Sequence, residues 1–287
     1  MAVYRRTYQG YSGPLTPPRR RWMVVTRQAL AGLLESRFML LFLAGCLVWP
    51  GICAALIYLR HNSGALELLR LSLDKLIPID GSFFYRFMDV QGVLAFLLAA
   101  LAAPGLISPD LTNNAMPLYL ARPLSRGEYV TGKMAVLAIL LSAITWIPGL
   151  LLFGLQAGLE GGQWLRENLW IAWGLAAGSW VWILTLSLLG LALSAWVKWR
   201  VLAGALLLGI FFAAAGFGQA VNQALDTRLG DLINLGRVVQ RVWAGLFRQG
   251  ELDAVAAQSA WLVLVAVWAL SLRLLAAKVR ACEVERS

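Results

Sequence analysis

Six stretches of this chain hold no charged residue: Phe38 to Leu59, Val90 to Ile107, Met134 to Leu155, Leu169 to Val197, Val201 to Leu225 and Ala254 to Leu272. All 25 Lys and Arg and all 15 Asp and Glu side chains fall in the segments between and around them. A charge at the bilayer centre costs about 2.5–3.5 kcal/mol on the insertion scale, so such exclusion marks segments built for hydrocarbon. A helix rises about 1.5 Å per residue and the hydrocarbon core is about 30 Å thick, so runs of about 18 residues or more suffice to cross it. With 60% hydrophobic and 14% charged residues, a water-soluble domain is excluded. The fold class expected is an all-α integral membrane protein with six transmembrane helices.

Basic residues orient it. Residues 1–37, 108–133, 198–200 and 273–287 hold 16 Lys and Arg against 5 acids, whereas the alternate loops hold 9 against 10. Short cytoplasmic loops carry the basic excess, which places both termini in the cytoplasm and the chain in a plasma or inner membrane. Arg19, Arg20, Arg21, Lys278 and Arg280 flank spans and face anionic lipid headgroups, so the net charge of +10 reads as topology and not as nucleic-acid binding. Cys46, Cys53 and Cys282 form no disulfide framework, and Leu43 to Cys46 is followed by more apolar chain, unlike a cleaved signal.

The organisation expected is a Pro-, Gly-, Tyr- and Arg-rich tail over 1–21, an amphipathic helix over 22–37, a six-span domain over 38–277 and a tail over 278–287. Trp22, Val25, Ala29 and Leu33 make the apolar stripe of the amphipathic helix. Two external segments carry similar stripes: Leu66, Leu69, Leu73 and Leu76 in one, and Leu225, Leu229, Leu232, Val239, Val242 and Leu246 in the other. Both are expected to be helices resting on or dipping into the outer face. Lys198, Trp199 and Arg200 leave room only for a tight turn between spans four and five. Gly174 and Gly178 have the spacing of a helix-dimer seam, and Trp180 and Trp182 fall mid-span, where they read as packing or lipid contact.

No catalytic constellation is visible. His61 is the single histidine, so paired-His metal sites are excluded, and no Gly-x-x-x-x-Gly-Lys-Ser/Thr loop is present to hold ATP. The spans contain no ionisable residue of the kind that marks proton or sodium pathways. Energy for any transport must come from elsewhere.

The most informative segment joins spans two and three. Ser108, Pro109 and Asp110 read as N-cap, first-turn proline and N-terminal carboxylate of a new helix. Met116-Pro117 kinks that helix, Arg122-Pro123 stops it, and Ser125-x-x-Glu128 is a capping box that starts the next one. Asp110, Leu118 to Leu120, Arg122-Pro123-Leu124-Ser125-Arg126, Tyr129 and Gly132-Lys133 together resemble the permease subunits of ABC-2 type transporters. The resemblance extends in outline to the six spans, the amphipathic helix before them and the tight turn between spans four and five. The long loop over 60–89 departs from that outline.

The resemblance implies a half-transporter. It binds no cofactor itself; ATP and magnesium belong to separate ATP-binding subunits, and a second permease copy or a related permease completes the path. The loop over 108–133 is then a coupling helix, with Asp110, Asn113, Asn114, Tyr119, Arg122 and Arg126 as the contacts to the ATPase. Ser142, Thr145, Gln156, Thr185, Ser187, Gln219 and Asn222 are the few polar residues that could line a substrate path. So apolar a surface suits a hydrophobic, amphipathic or lipid-linked cargo. The alternatives are a membrane scaffold or signalling subunit acting on external accessory proteins, or an enzyme using the external carboxylates Asp74, Asp80, Asp89, Asp226 and Asp231.

Overall fold

A computed structural model describes residues 17, 20–62, 78–113, 115, 125–249 and 254–278, with side chains described from 258 onward in the last of these. Among them there are helices and turns and no strand, and six helical stretches are long and apolar enough to cross a membrane. Helix α1 (Arg21–Leu34) precedes a span made of α2 (Arg37–Cys46) and α3 (Val48–His61). The second span joins α4 (Gly81–Ala102) to α5 (Pro104–Thr112), and the third joins α6 (Arg126–Ile144) to α7 (Trp146–Glu160). Helices α8 (Gly162–Trp196) and α9 (Arg200–Leu225) are unbroken. A 3-10 turn (Leu229–Leu232) and α10 (Leu235–Leu246) precede α11 (Ala254–Lys278).

The spans outrun the uncharged stretches, because hydropathy marks only the hydrocarbon-facing part of a helix. The second extends back to Gly81, and the third reaches back to Arg126 and so takes in Lys133. Each of the first three spans breaks next to a proline, whose missing N–H and bulky ring disrupt the helical ladder. Pro50 leaves the Cys46 carbonyl without its donor, and Gln91 Nε2 of α4 supplies one at 3.0 Å. Pro104 starts α5, and Pro148 lies in the first turn of α7.

Helix α8 is the centre of the bundle. It packs against α4, α5, α6, α7, α9, α10 and α11, and 72% of its apolar window is buried, against 22% for the first, fifth and sixth spans. Small residues permit that closeness in a setting where helices associate by tight packing. A Cβ on Gly190 would stand 2.6 Å from that of Ala103. Gly174 and Gly178 are spent inside the chain and not on a dimer seam: their faces meet Phe247 and the Trp243 indole.

Two local expectations are corrected. Ser108 does not cap a new helix; α5 already runs from Pro104 to Thr112, with Ser108 and Pro109 inside it. The stretch over 225–247 is not one helix. Asp226 ends α9 in the left-handed region (φ 47°), and Asn234 caps α10 by accepting from the Arg237 N–H at 3.2 Å. The apolar face of α10, Val238, Val239, Val242 and Trp243, is buried in protein, whereas Leu225 and Leu229 are exposed. The stripe Leu66 to Leu76, the prolines Pro117 and Pro123, and both terminal tails lie outside the described residues, apart from positions 17, 20, 21 and 278.

Candidate functional site

The end of α5 and the start of α6 are joined by a buried ion pair. Lys133 is only 5% exposed, and its Nζ lies 2.8 Å from Asp110 Oδ2. The buried Tyr129 donates its hydroxyl to the same oxygen at 2.7 Å, and the ammonium sits 5.5 Å from the Tyr129 ring centre. Tyr129 and Lys133 are four residues apart and share one helical face, so both reach Asp110 from a single helix. Ser125 and Glu128 set where that helix begins: Ser125 Oγ accepts from the Glu128 N–H at 3.2 Å, and Glu128 Oε2 accepts from the Ser125 N–H at 2.7 Å.

Gly132, beside the lysine, is where α1 crosses α6. A Cβ there would lie 2.9 Å from the Trp22 carbonyl oxygen and 3.0 Å from Val25 Cβ. Thr26 Oγ1 fills the contact, within reach of the carbonyls of Gly132 at 2.9 Å and Trp22 at 3.0 Å. Val25 and Leu33 are buried while Arg27, Gln28 and Glu35 are exposed, so the leading helix is held by its apolar side.

On its other side α5 is clamped to the turn between α8 and α9. Ser194 Oγ accepts from the N–H groups of Ile107 at 3.2 Å and Ser108 at 3.0 Å, and donates to the Pro104 carbonyl at 3.1 Å. It is thereby inserted into the α5 ladder, one of the few ways a helix is bent. Ser108 Oγ lies 2.7 Å from the Val197 carbonyl and 2.6 Å from that of Lys198, and Thr112 Oγ1 reaches the Lys198 carbonyl at 3.0 Å. These hydroxyls satisfy carbonyls left open at the end of α8.

Of the six expected ATPase contacts, Asp110 is the centre of the ion pair. Asn113 ends α5, its N–H donating to the Pro109 carbonyl at 3.0 Å, and Arg126 is the exposed first residue of α6. Asn114, Tyr119 and Arg122 lie outside the described residues. Lys133, which carries part of the resemblance but was not among the expected contacts, completes the site together with Thr26 and Ser194, which do not stand out in the sequence. The one visible signal was a lone lysine following a glycine two turns beyond a capping box.

The polar residues of the expected path are mostly buried within the chain. Ser142, Thr145, Gln156, Thr185 and Ser187 are buried. Thr145 donates to the Leu141 carbonyl at 2.7 Å, and Thr185 donates to Val181 at 2.8 Å while accepting from the Trp268 indole at 2.9 Å. Gln219 is exposed, beside a small cavity of about 90 Å³ that Asn222 also lines. Asn222 Nδ2 donates to Asp231 at 2.9 Å, and Asn222 Oδ1 accepts from the Gly230 N–H at 2.7 Å.

The carboxylates of the enzyme alternative have structural engagements. Asp80 caps α4 through Ser82 and Phe83, Asp89 accepts from Gln240, and Asp226 ends α9. Asp231 is paired with Arg237 at 2.9 Å and Arg241 at 2.6 Å. Asp74 lies outside the described residues. Among the described residues no three His, Cys, Asp or Glu side chains gather as a metal site.

Six apolar helices, one of them central and buried, define a multi-pass helical membrane protein. Residues 86–275 match the family described as ABC-2 family transporter protein, a match that runs from α4 into α11 and covers well over half of the chain. The chain belongs to that family and is a permease component of a membrane transporter. No individual curated protein matches it.

Proposed function

We propose that this chain is the membrane permease of an ATP-driven exporter whose ATP-binding subunit, holding ATP and magnesium, docks on the cytoplasmic loop over 108–133. Two copies, or this chain and a related permease, form the path for a hydrophobic, amphipathic or lipid-linked cargo in a plasma or inner membrane. The observation that carries this reading is the Asp110–Lys133 pair, which binds both ends of the loop to one point. A partner can shift the permease equilibrium only through contacts that differ between its two states. A loop whose ends are tied together, and through Ser194 and Thr26 to the α8–α9 turn and α1, passes a push to three helices at once.

The test is copurification. Arg122→Glu combined with Arg126→Glu is expected to leave membrane insertion intact and to lose the ATP-binding subunit. Undiminished copurification of that subunit overturns the docking assignment.

A further inference from the structure

A cavity of about 150 Å³ opens where α4, α8, α9 and α10 meet, a volume that elsewhere takes a benzene-sized group. Four rings wall it, one from each helix: Phe96, Trp182, Phe211 and Trp243. Ring centres lie 4.6 Å apart for Phe96 and Phe211, 5.7 Å for Trp182 and Phe211, and 6.0 Å for Trp182 and Trp243. Both indoles are locked by backbone, Trp182 Nε1 donating to the Gly92 carbonyl and Trp243 Nε1 to the Gly178 carbonyl, each at 2.9 Å. The cavity is thus lined by aromatic rings held in place by one another and by backbone, with the indole N–H groups already used.

Asp89 stands at its edge. The carboxylate accepts from Gln240 Nε2 at 2.7 Å and makes no ion pair among the described residues. The arginines of α10 that could have neutralised it, Arg237 and Arg241, are both engaged by Asp231. Elsewhere the chain covers its rings with its own cations: Arg248 lies over Trp170, Lys278 over Trp196 and Lys133 over Tyr129. Among the described residues no such cation lies over the four rings of the cavity.

A carboxylate at the rim of an aromatic cavity selects a ligand by its chemistry. A metal ion would need several oxygens, and one carboxylate is present. An ammonium with free N–H groups would need acceptors that the ring walls do not provide. A quaternary ammonium has no N–H to satisfy, and both ring faces and carboxylate attract it. Val93, at the edge of the same cavity, is 58% exposed, so the cavity communicates with the outside of the bundle and an apolar tail can leave toward lipid.

We infer that this cavity binds the quaternary ammonium group of an amphiphile, with Asp89 as counter-charge and the four rings as walls. The group could belong to a choline-headed bilayer lipid or to a single-chain cationic amphiphile. The inference does not depend on the coupling assignment, because binding is measured on the permease with no ATP-binding subunit present.

The experiment is calorimetric titration of the full-length protein in a sugar-headed detergent. The ligands are choline and its uncharged isostere with carbon in place of nitrogen. Choline is expected to bind roughly tenfold more tightly, in keeping with a desolvated cation–π contact. Asp89→Asn, which keeps an acceptor for Gln240, is expected to reduce that preference, and Phe96→Leu to weaken choline binding. Equal affinity for the two ligands in the wild-type protein overturns the inference without recourse to any variant, and a preference undiminished in Asp89→Asn overturns it as well. Competition by nanodiscs of phosphatidylcholine but not phosphatidylglycerol supports the site and assigns it to bilayer lipid. Displacement of choline by a single-chain trimethylammonium amphiphile and by neither lipid supports it and assigns it to a single-chain amphiphile.

Discussion

Lys133 is held by the Asp110 carboxylate and the face of the Tyr129 ring, and Tyr129 donates its hydroxyl to the same carboxylate. Removing one member of a buried pair costs about 3–5 kcal/mol, because the remaining charge is stranded, whereas replacing both with apolar groups is often neutral. Lys133→Met is therefore expected to lower the thermal midpoint in detergent sharply, and Asp110→Leu with Lys133→Met to recover most of the loss. If the double variant is no better than the single one, the pair is not the source of the penalty. Asp231 offers a graded comparison, since Arg237 is 60% exposed and Arg241 only 21%. Solvent screens the outer arginine, so Arg241→Met is expected to destabilise more than Arg237→Met in the same assay.

The breaks in the spans follow the prolines, but what each break exposes is settled by a neighbouring helix. Pro50 opens the Cys46 carbonyl and Gln91 closes it again. Gln91→Leu should cost about 1–3 kcal/mol by leaving that carbonyl unsatisfied in an apolar setting. In a Pro50→Ala background, where an N–H becomes available at position 50, the same substitution should cost less. Equal costs in the two backgrounds, measured by thermal unfolding, would remove Gln91 from this role. Gly218 and Gly230 show a second dependence between elements. Their backbones approach so closely that a Cβ on either would overlap the other's carbonyl oxygen. Gly230→Ala is expected to push the 3-10 turn away from α9 and loosen Asp231, which limited proteolysis around residue 228 would report as faster cleavage.

Across the whole molecule, burial is unequal. Spans two, three and four are 61–72% buried in their apolar windows, and spans one, five and six 22%. The outer three therefore offer the surfaces left for lipid or for another permease. Exposed Phe212 and Phe217 on α9 are suitable reporters. Under the two-permease reading, a cysteine at one of these positions, in a background lacking Cys46, Cys53 and Cys282, is expected to crosslink to a second copy in membranes. A monomer band alone at both positions would exclude that face from a homodimer. The orientation expected from the basic excess has its own test. A cysteine at Gly162, which is exposed with open space around it, should react with an impermeant thiol reagent in intact cells, and one at Lys278 should not.

Charge exclusion made the six spans legible, because moving a charge into hydrocarbon carries a penalty whatever surrounds it. The capping box at Ser125 and Glu128 was legible for a related reason: its bonds join residues three apart, so local sequence contains both partners. Ser108 misled because its local pattern fits an N-cap, while Ser194, 86 residues away, engages its backbone instead. Gly174 and Gly178 carried a spacing that permits close approach without naming what approaches, and Trp243 occupies the place. The Asp110–Lys133 pair and the aromatic cavity with Asp89 likewise depend on which helices become neighbours. Hydropathy records the preference of each segment for lipid over water, and it carries no information about which of several apolar helices will touch. That choice rests on shape, on small residues and on the few buried polar groups that must find partners, all of which are decided between segments remote in the chain.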